Sequence, residues 1–389
     1  MPQLQTATRP AATSTPTGAA PQDTLQDPLL KSGKRDKVVA YLTQNSTTHH
    51  VDEIPEALSA LKANDAAGLG KKKLLPISDP YADGHSTYGG TLGADAAKKL
   101  TWWHDDPSLQ EGQVRLGDRV FTLGTPDAAQ AAPELKKAIG NDWKDLMAAI
   151  GMKPDSVQAV QKSMFTDAQG QPKLPDSGVG AVNELLQLTR TFDRANQGEF
   201  DLDTLVMSGH HYQGTSYLFG EKGDHEYDLN DSLDVRDVGA LAKAFPTAAG
   251  QVQNVQFSAC NTHDLGLTDA SGQSQSTNDW LQQTFPNVQR GSYWKGIAAG
   301  ATTAALHGGE FLADAAKAQN GNTAAFHDAT WRKNQGKGEM QRSSKGADGK
   351  LAESFPTGTS SSYTTNIGGQ RGKNTPFHKR ADLAPYLLK

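Results

Sequence analysis

The chain has 389 residues and one cysteine, Cys260. A single thiol excludes an internal disulfide, so nothing here is a stapled secreted scaffold. No apolar run approaches the eighteen or so residues that a membrane helix needs, and membrane insertion is not expected. The start, Met1 to Thr6, lacks the charged and apolar regions of a secretory signal, so the expected location is the cytoplasm. No stripe of lysine and arginine interleaves with aromatics, and the net charge is −5, which gives nucleic-acid binding no support. Apolar residues make up only 36%, so a good part of the chain is expected to lie outside a packed core. No internal repeat is present.

Composition divides what remains. Residues 1–32 are rich in Pro, Thr, Ala and Gln, the composition of a disordered leader. Residues 33–113 read as a helical and irregular N-terminal region, with helical spacing over Asp36 to Gln44 and Pro55 to Lys62 and a packed segment around Trp102, Trp103 and Leu109. Residues 114–335 read as the main domain, and a Gly, Ser, Thr and Lys-rich segment at 336–389 as a flexible tail whose last apolar cluster, Tyr386 to Leu388, could dock back.

Within the main domain, apolar runs alternate with helical periodicity. Arg119 to Leu123, Leu202 to Met207, Ser216 to Phe219, Asn254 to Ala259 and Val288 to Tyr293 read as strands. Ala132 to Ile139, Trp143 to Ile150, Pro154 to Phe165, Gly180 to Phe192, Asp237 to Phe245, Trp280 to Phe285 and Ile297 to Ala318 read as helices. Strands separated by helices imply an α/β fold with a mostly parallel sheet flanked by helices.

Two strands end in chemistry. Leu202 to Met207 runs into Ser208-Gly209-His210-His211, and Asn254 to Ala259 runs into Cys260, fifty positions after His210. Open α/β sheets gather functional side chains at the carboxyl ends of their strands, so the two ends can meet. A thiol is mostly protonated at neutral pH and needs a base or a helix N-terminus to act as a nucleophile. A histidine beside it supplies that base.

The blocks Leu205-Val206-Met207-Ser208-Gly209-His210 and Phe257-Ser258-Ala259-Cys260-Asn261-Thr262 resemble those of the caspase-like cysteine peptidases, a superfamily that includes metacaspases, gingipains, separases and CHAT peptidases. The likeness covers residues 179–300 and is nearest in style to the bacterial CHAT and metacaspase types. It implies a caspase-like sheet and an endopeptidase in which Cys260 is the nucleophile and His210 the base. The position after that histidine, usually glycine, is His211, which leaves His211 as the alternative base. The resemblance also implies an oxyanion site with a backbone amide from His211, Gly209 or Cys260 itself. It implies a protein or peptide substrate, with cleavage after Arg or Lys expected if an acidic residue lines the pocket for that side chain. Asp264, Asp224 and Glu226 are the candidates.

Other features have simpler readings. The series Asp224, Glu226, Asp228, Asp231, Asp234 and Asp237 lacks the glycine and terminal glutamate of a calcium loop. A solvated loop with Asp234 capping the next helix is expected, with no cofactor; a Ca2+ site, as in some metacaspases, is the alternative. His263 without ligand partners reads as a loop residue, Lys71-Lys72-Lys73 as a solvated patch, and Gly89 to Gly93 as too weak for a phosphate loop. Two further functional readings stand beside the peptidase: a noncatalytic caspase-like interaction module, and a bacterial effector or toxin exported by a nonclassical route.

Overall fold

The structure is a computed structural model that describes residues 35–43, 53–77, 113–122, 125–166, 175–178, 181–219, 232–269, 271–298, 301–322, 326, 338–353 and 384–388. Residues Asp36–Lys389 form one unit; Met1–Arg35, which includes the expected leader at 1–32, forms another and lies outside the described residues except for Arg35.

In chain order the elements are β1 (Lys37–Thr43), α1 (Glu53–Ala66), β2 (Lys72–Ile77), β3 (Gln113–Leu116), β4 (Arg119–Thr122), α2 (Pro126–Gln130), α3 (Ala132–Ala149), α4 (Pro154–Met164) and α5 (Val182–Asn196). They continue with β5 (Asp201–Ser208), β6 (Tyr217–Phe219), β7 (Ser232–Asp234), α6 (Val235–Ala244), α7 (Pro246–Gln251), β8 (Asn254–Ser258), β9 (Leu267–Thr268) and β10 (Ser274–Gln275). The last are α8 (Thr277–Thr284), β11 (Arg290–Gly296), α9 (Ala301–Gln319), β12 (Gly338–Lys345) and β13 (Leu351–Glu353).

Seven strands join one sheet in the order β13-β12-β11-β8-β5-β1-β2. The five from β11 to β2 are mutually parallel, and β12 and β13 add antiparallel pairs at one side. This is the α/β class with a mostly parallel, helix-flanked sheet. Successive side chains of a strand point to opposite faces, so a strand buried on both sides feeds two cores. Val38, Ala40 and Leu42 join the larger core, which includes residues of α3 to α8, while Val39 and Tyr41 join a second built with α1 and α9. In β5 a register shift adds Asp203 as an extra residue between the partners of Val38 and Val39. Leu202 and Leu205, three positions apart, therefore reach the same core.

Several expectations need correction. The helix expected from Asp36 to Gln44 is strand β1, paired between β5 and the edge strand β2. An apolar run buried on both faces has no two-residue alternation to betray it. The boundary near residue 113 also fails, because β1 and β2 belong to the same sheet as β5, although the region does contain helix α1. The two helices expected from Ala132 to Ile150 are one, α3, which runs through Gly140. The tail from residue 336 is not wholly outside the body: β12 pairs along β11, and Leu387 bridges Leu74 on the outer strand β2. Lys72 is not solvated; its ammonium lies 2.6 Å from Asp203, with both side chains buried. Trp102, Trp103, Leu109 and Gly89 to Gly93 lie outside the described residues.

Candidate active site

Cys260 owes its position to the way β8 stops. Ser258 is the last strand residue and pairs with Ser208 of β5; beyond it the Gly209 amide reaches the Ser258 carbonyl at 3.4 Å. His210 and Cys260 thus leave neighbouring parallel strands two residues past the same paired position. Asn261 then turns the chain with φ at +54°, a left-handed conformation that asparagine tolerates better than most side chains.

The turn is stitched to the end of β11. Asn261 N–H donates to the Gly296 carbonyl at 2.7 Å and His263 N–H to Trp294 O at 3.0 Å. Thr262 Oγ1 accepts from the Trp294 amide at 3.1 Å and donates to Ala259 O at 3.1 Å. The Ala298 N–H points at Cys260 Sγ at 3.3 Å, and the half-buried thiol packs against Trp294, Ala298 and Met340. Burial in these surroundings pushes the thiol above its ordinary value, while the Ala298 amide and its own amide pull the other way. No helix begins at Cys260, so no helix dipole contributes.

His211 is buried, and its ring spans two loops: Nδ1 lies 2.8 Å from the Cys260 carbonyl and Nε2 2.8 Å from the Thr215 carbonyl. A neutral imidazole has one N–H and donates to one carbonyl; only the imidazolium donates to both. Burial holds its pKa below the ordinary 6.5 with His263 adding to the effect, while the two carbonyls and Asp264 oppose it. Both ring nitrogens face carbonyl oxygens, so the ring is directed at the backbone of Cys260. The same loops meet again at Gly266, where a Cβ would sit 2.3 Å from Gly214 O. Only glycine allows that approach.

The remaining candidates separate. The Gly209 amide, expected to face an oxyanion, continues the β5–β8 ladder toward the Ser258 carbonyl. Asp264 is half-buried and uses Oδ1 to accept from Gly266 N–H at 3.0 Å, closing a local turn. Asp224 and Glu226 lie outside the described residues. Asp234 caps α6 as expected, accepting from Arg236 N–H, and pairs with the Arg236 guanidinium at 2.5 Å. Asp237 is buried and accepts from the amides of Asp176 and Ser177; burial raises its pKa to about 6 despite those donors. Among the described residues no cluster of three or more His, Cys, Asp or Glu is arranged to hold a metal ion. No helix among them is long and apolar enough to cross a membrane.

Two contributors had no signal in the sequence. Ala298 acts through its backbone N–H and Gly266 through what it lacks, and neither role selects a recognisable side-chain motif. Compared with known proteins, the chain matches no family model, no curated protein and no solved structure.

Proposed function

We propose that the chain is a cysteine endopeptidase of the caspase-like kind, with Cys260 as nucleophile and His210 as general base. The observation that supports this most is that both residues follow adjacent parallel strands at one register, at the carboxyl edge where α/β sheets gather their sites. His210 is favoured over His211 because both nitrogens of His211 face carbonyl oxygens.

Burial pushes the Cys260 thiol up, which favours Cys260–SH as the form from which attack begins. His210 takes the Sγ proton as sulfur attacks the peptide carbonyl; the C–S bond forms, and the imidazolium then gives that proton to the departing amine as the C–N bond breaks. Water, deprotonated by the same histidine, hydrolyses the thioester and restores the thiol. The Ala298 amide supports the thiolate as it develops. Cleavage after Arg or Lys remains part of the proposal, with Asp264 as the described candidate for recognising the cation.

A second reading, a noncatalytic interaction module, is favoured by the same raised thiol. The purified protein incubated with a peptide library, and the new termini mapped by mass spectrometry, tests both. Hydrolysis by the native chain and none by Cys260→Ala is the expected result. Equal activity in the variant rules out the peptidase, and absence of cleavage in both favours the module.

A further inference from the structure

Three large hydrophobic side chains among the described residues are conspicuously exposed: Val120 on β4, Tyr212 and Ile297, the last two each 49% accessible. Tyr212 directly follows His211, whose ring touches the Cys260 carbonyl; Ile297 directly precedes Ala298, whose amide meets Cys260 Sγ. Neither residue sits on a loose loop. The Tyr212 carbonyl accepts from Thr215 N–H at 3.2 Å and from Thr215 Oγ1 at 2.8 Å. On the other side, the residue before Ile297, Gly296, accepts from Asn261 N–H at 2.7 Å.

Sheet order fixes their arrangement. β8 lies between β5 and β11, so the loops carrying Tyr212 and Ile297 leave the sheet on opposite sides of Cys260. Strands are spaced by about 4.8 Å, which separates the ends of β5 and β11 by roughly 10 Å. An extended peptide covers that distance in about three residues. Isolated surface hydrophobics are ordinary, but here two of them follow the strands on either side of the one that leads into Cys260, each next to a residue that contacts Cys260.

We propose that Tyr212 and Ile297 select substrate, each receiving an apolar side chain of an extended peptide within two residues of the scissile bond. This rests on the peptidase reading, which also orients the peptide. His210 follows β5 and protonates the leaving amine, so Tyr212 faces the leaving side and Ile297 the acyl side. A basic residue at the cleaved position is compatible, because the apolar contacts fall on its neighbours.

The test uses the full-length protein and matched peptides that carry Leu or Ser near the cleavage point, on the acyl side, the leaving side or both. Expected are a preference of about tenfold for Leu on each side, loss of the acyl-side preference alone in Ile297→Ser, and loss of the leaving-side preference alone in Tyr212→Ser. Cleavage indifferent to Leu or Ser, or variants with an unchanged pattern, would overturn the proposal while leaving the peptidase reading intact. Binding of the same peptides to Cys260→Ala gives a readout that needs no catalysis. Selective capture of Leu peptides without cleavage by the native chain keeps the docking surface and removes hydrolysis. Neither cleavage nor selective capture removes both.

Discussion

His211 shows how a side chain beside the proposed nucleophile can hold a loop through backbone carbonyls alone. Its ring lies between the Cys260 carbonyl and the Thr215 carbonyl of the loop that follows β5 and, when neutral, donates to one of them, so its loss loosens the packing of that loop against the Cys260 turn. His211→Ala is expected to cost about 1–3 kcal/mol of stability, since a buried carbonyl loses its partner, and to lower kcat more than it raises KM. His211→Gln, whose amide nitrogen offers two hydrogens, should recover part of both. The pH dependence has a definite sign. Burial depresses the folded-state pKa below 6.5, so as pH falls below that value the unfolded chain takes up the proton first and the native state loses stability. Unfolding midpoints measured from pH 7.5 to pH 5 should fall more steeply for the native protein than for His211→Gln; parallel curves would remove His211 from the titration. At this scale the sequence made His210 and Cys260 legible, because each ends an apolar run. It left His211 open between base and support, because a ring's direction depends on which carbonyls face it.

Among the elements, β5 carries the clearest energetic feature. Burial alone would raise the Asp203 carboxyl, but Lys72 at 2.6 Å, with donors from Thr204 and Gln319, holds it below the usual carboxylate value. Lys72 reaches it from β2, across β1. Removing one partner of a buried pair leaves the other charge without compensation, so Lys72→Met is expected to cost about 3–5 kcal/mol in denaturant unfolding. The double variant Lys72→Met, Asp203→Leu should recover much of that loss. Additive losses would show that packing, not charge, sets the cost. The run Lys71 to Lys73 reads as a patch for water because charge is visible in sequence and burial is not. Strand β1 is misread for the complementary reason, since Val38 to Leu42 supplies apolar groups to both faces at once.

Over the whole molecule, the chain's last described residues close the edge of the sheet. Leu388 N–H donates to Leu74 O at 2.9 Å, the Tyr386 hydroxyl meets Asp65 at 3.4 Å, and Tyr386 and Leu387 pack against the core under α1. Deleting residues 384–389 uncovers backbone groups of β2 and removes apolar contacts worth about 2 kcal/mol. The truncated chain is expected to unfold at lower denaturant and to elute partly as oligomers in size-exclusion chromatography. A monomer of unchanged stability would mean that the segment adds nothing. Brief digestion with a nonspecific protease should leave Gly338–Glu353 attached to the body, because β12 and β13 are paired into the sheet.

The sequence by itself determined the α/β class, the strands that end in His210 and Cys260, most helices of the main domain, and the cap at Asp234. These follow from local periodicity, turn residues and short-range hydrogen bonds, which involve neighbours in the chain. Only the tertiary structure decided that β1 and β2 complete the sheet, that Lys72 is paired inside it, that the C-terminal residues cover its edge, and that Ala298 and His211 converge on Cys260. Each of those joins residues far apart in the chain, through backbone groups or buried charges whose partners are selected by the packing of the whole sheet.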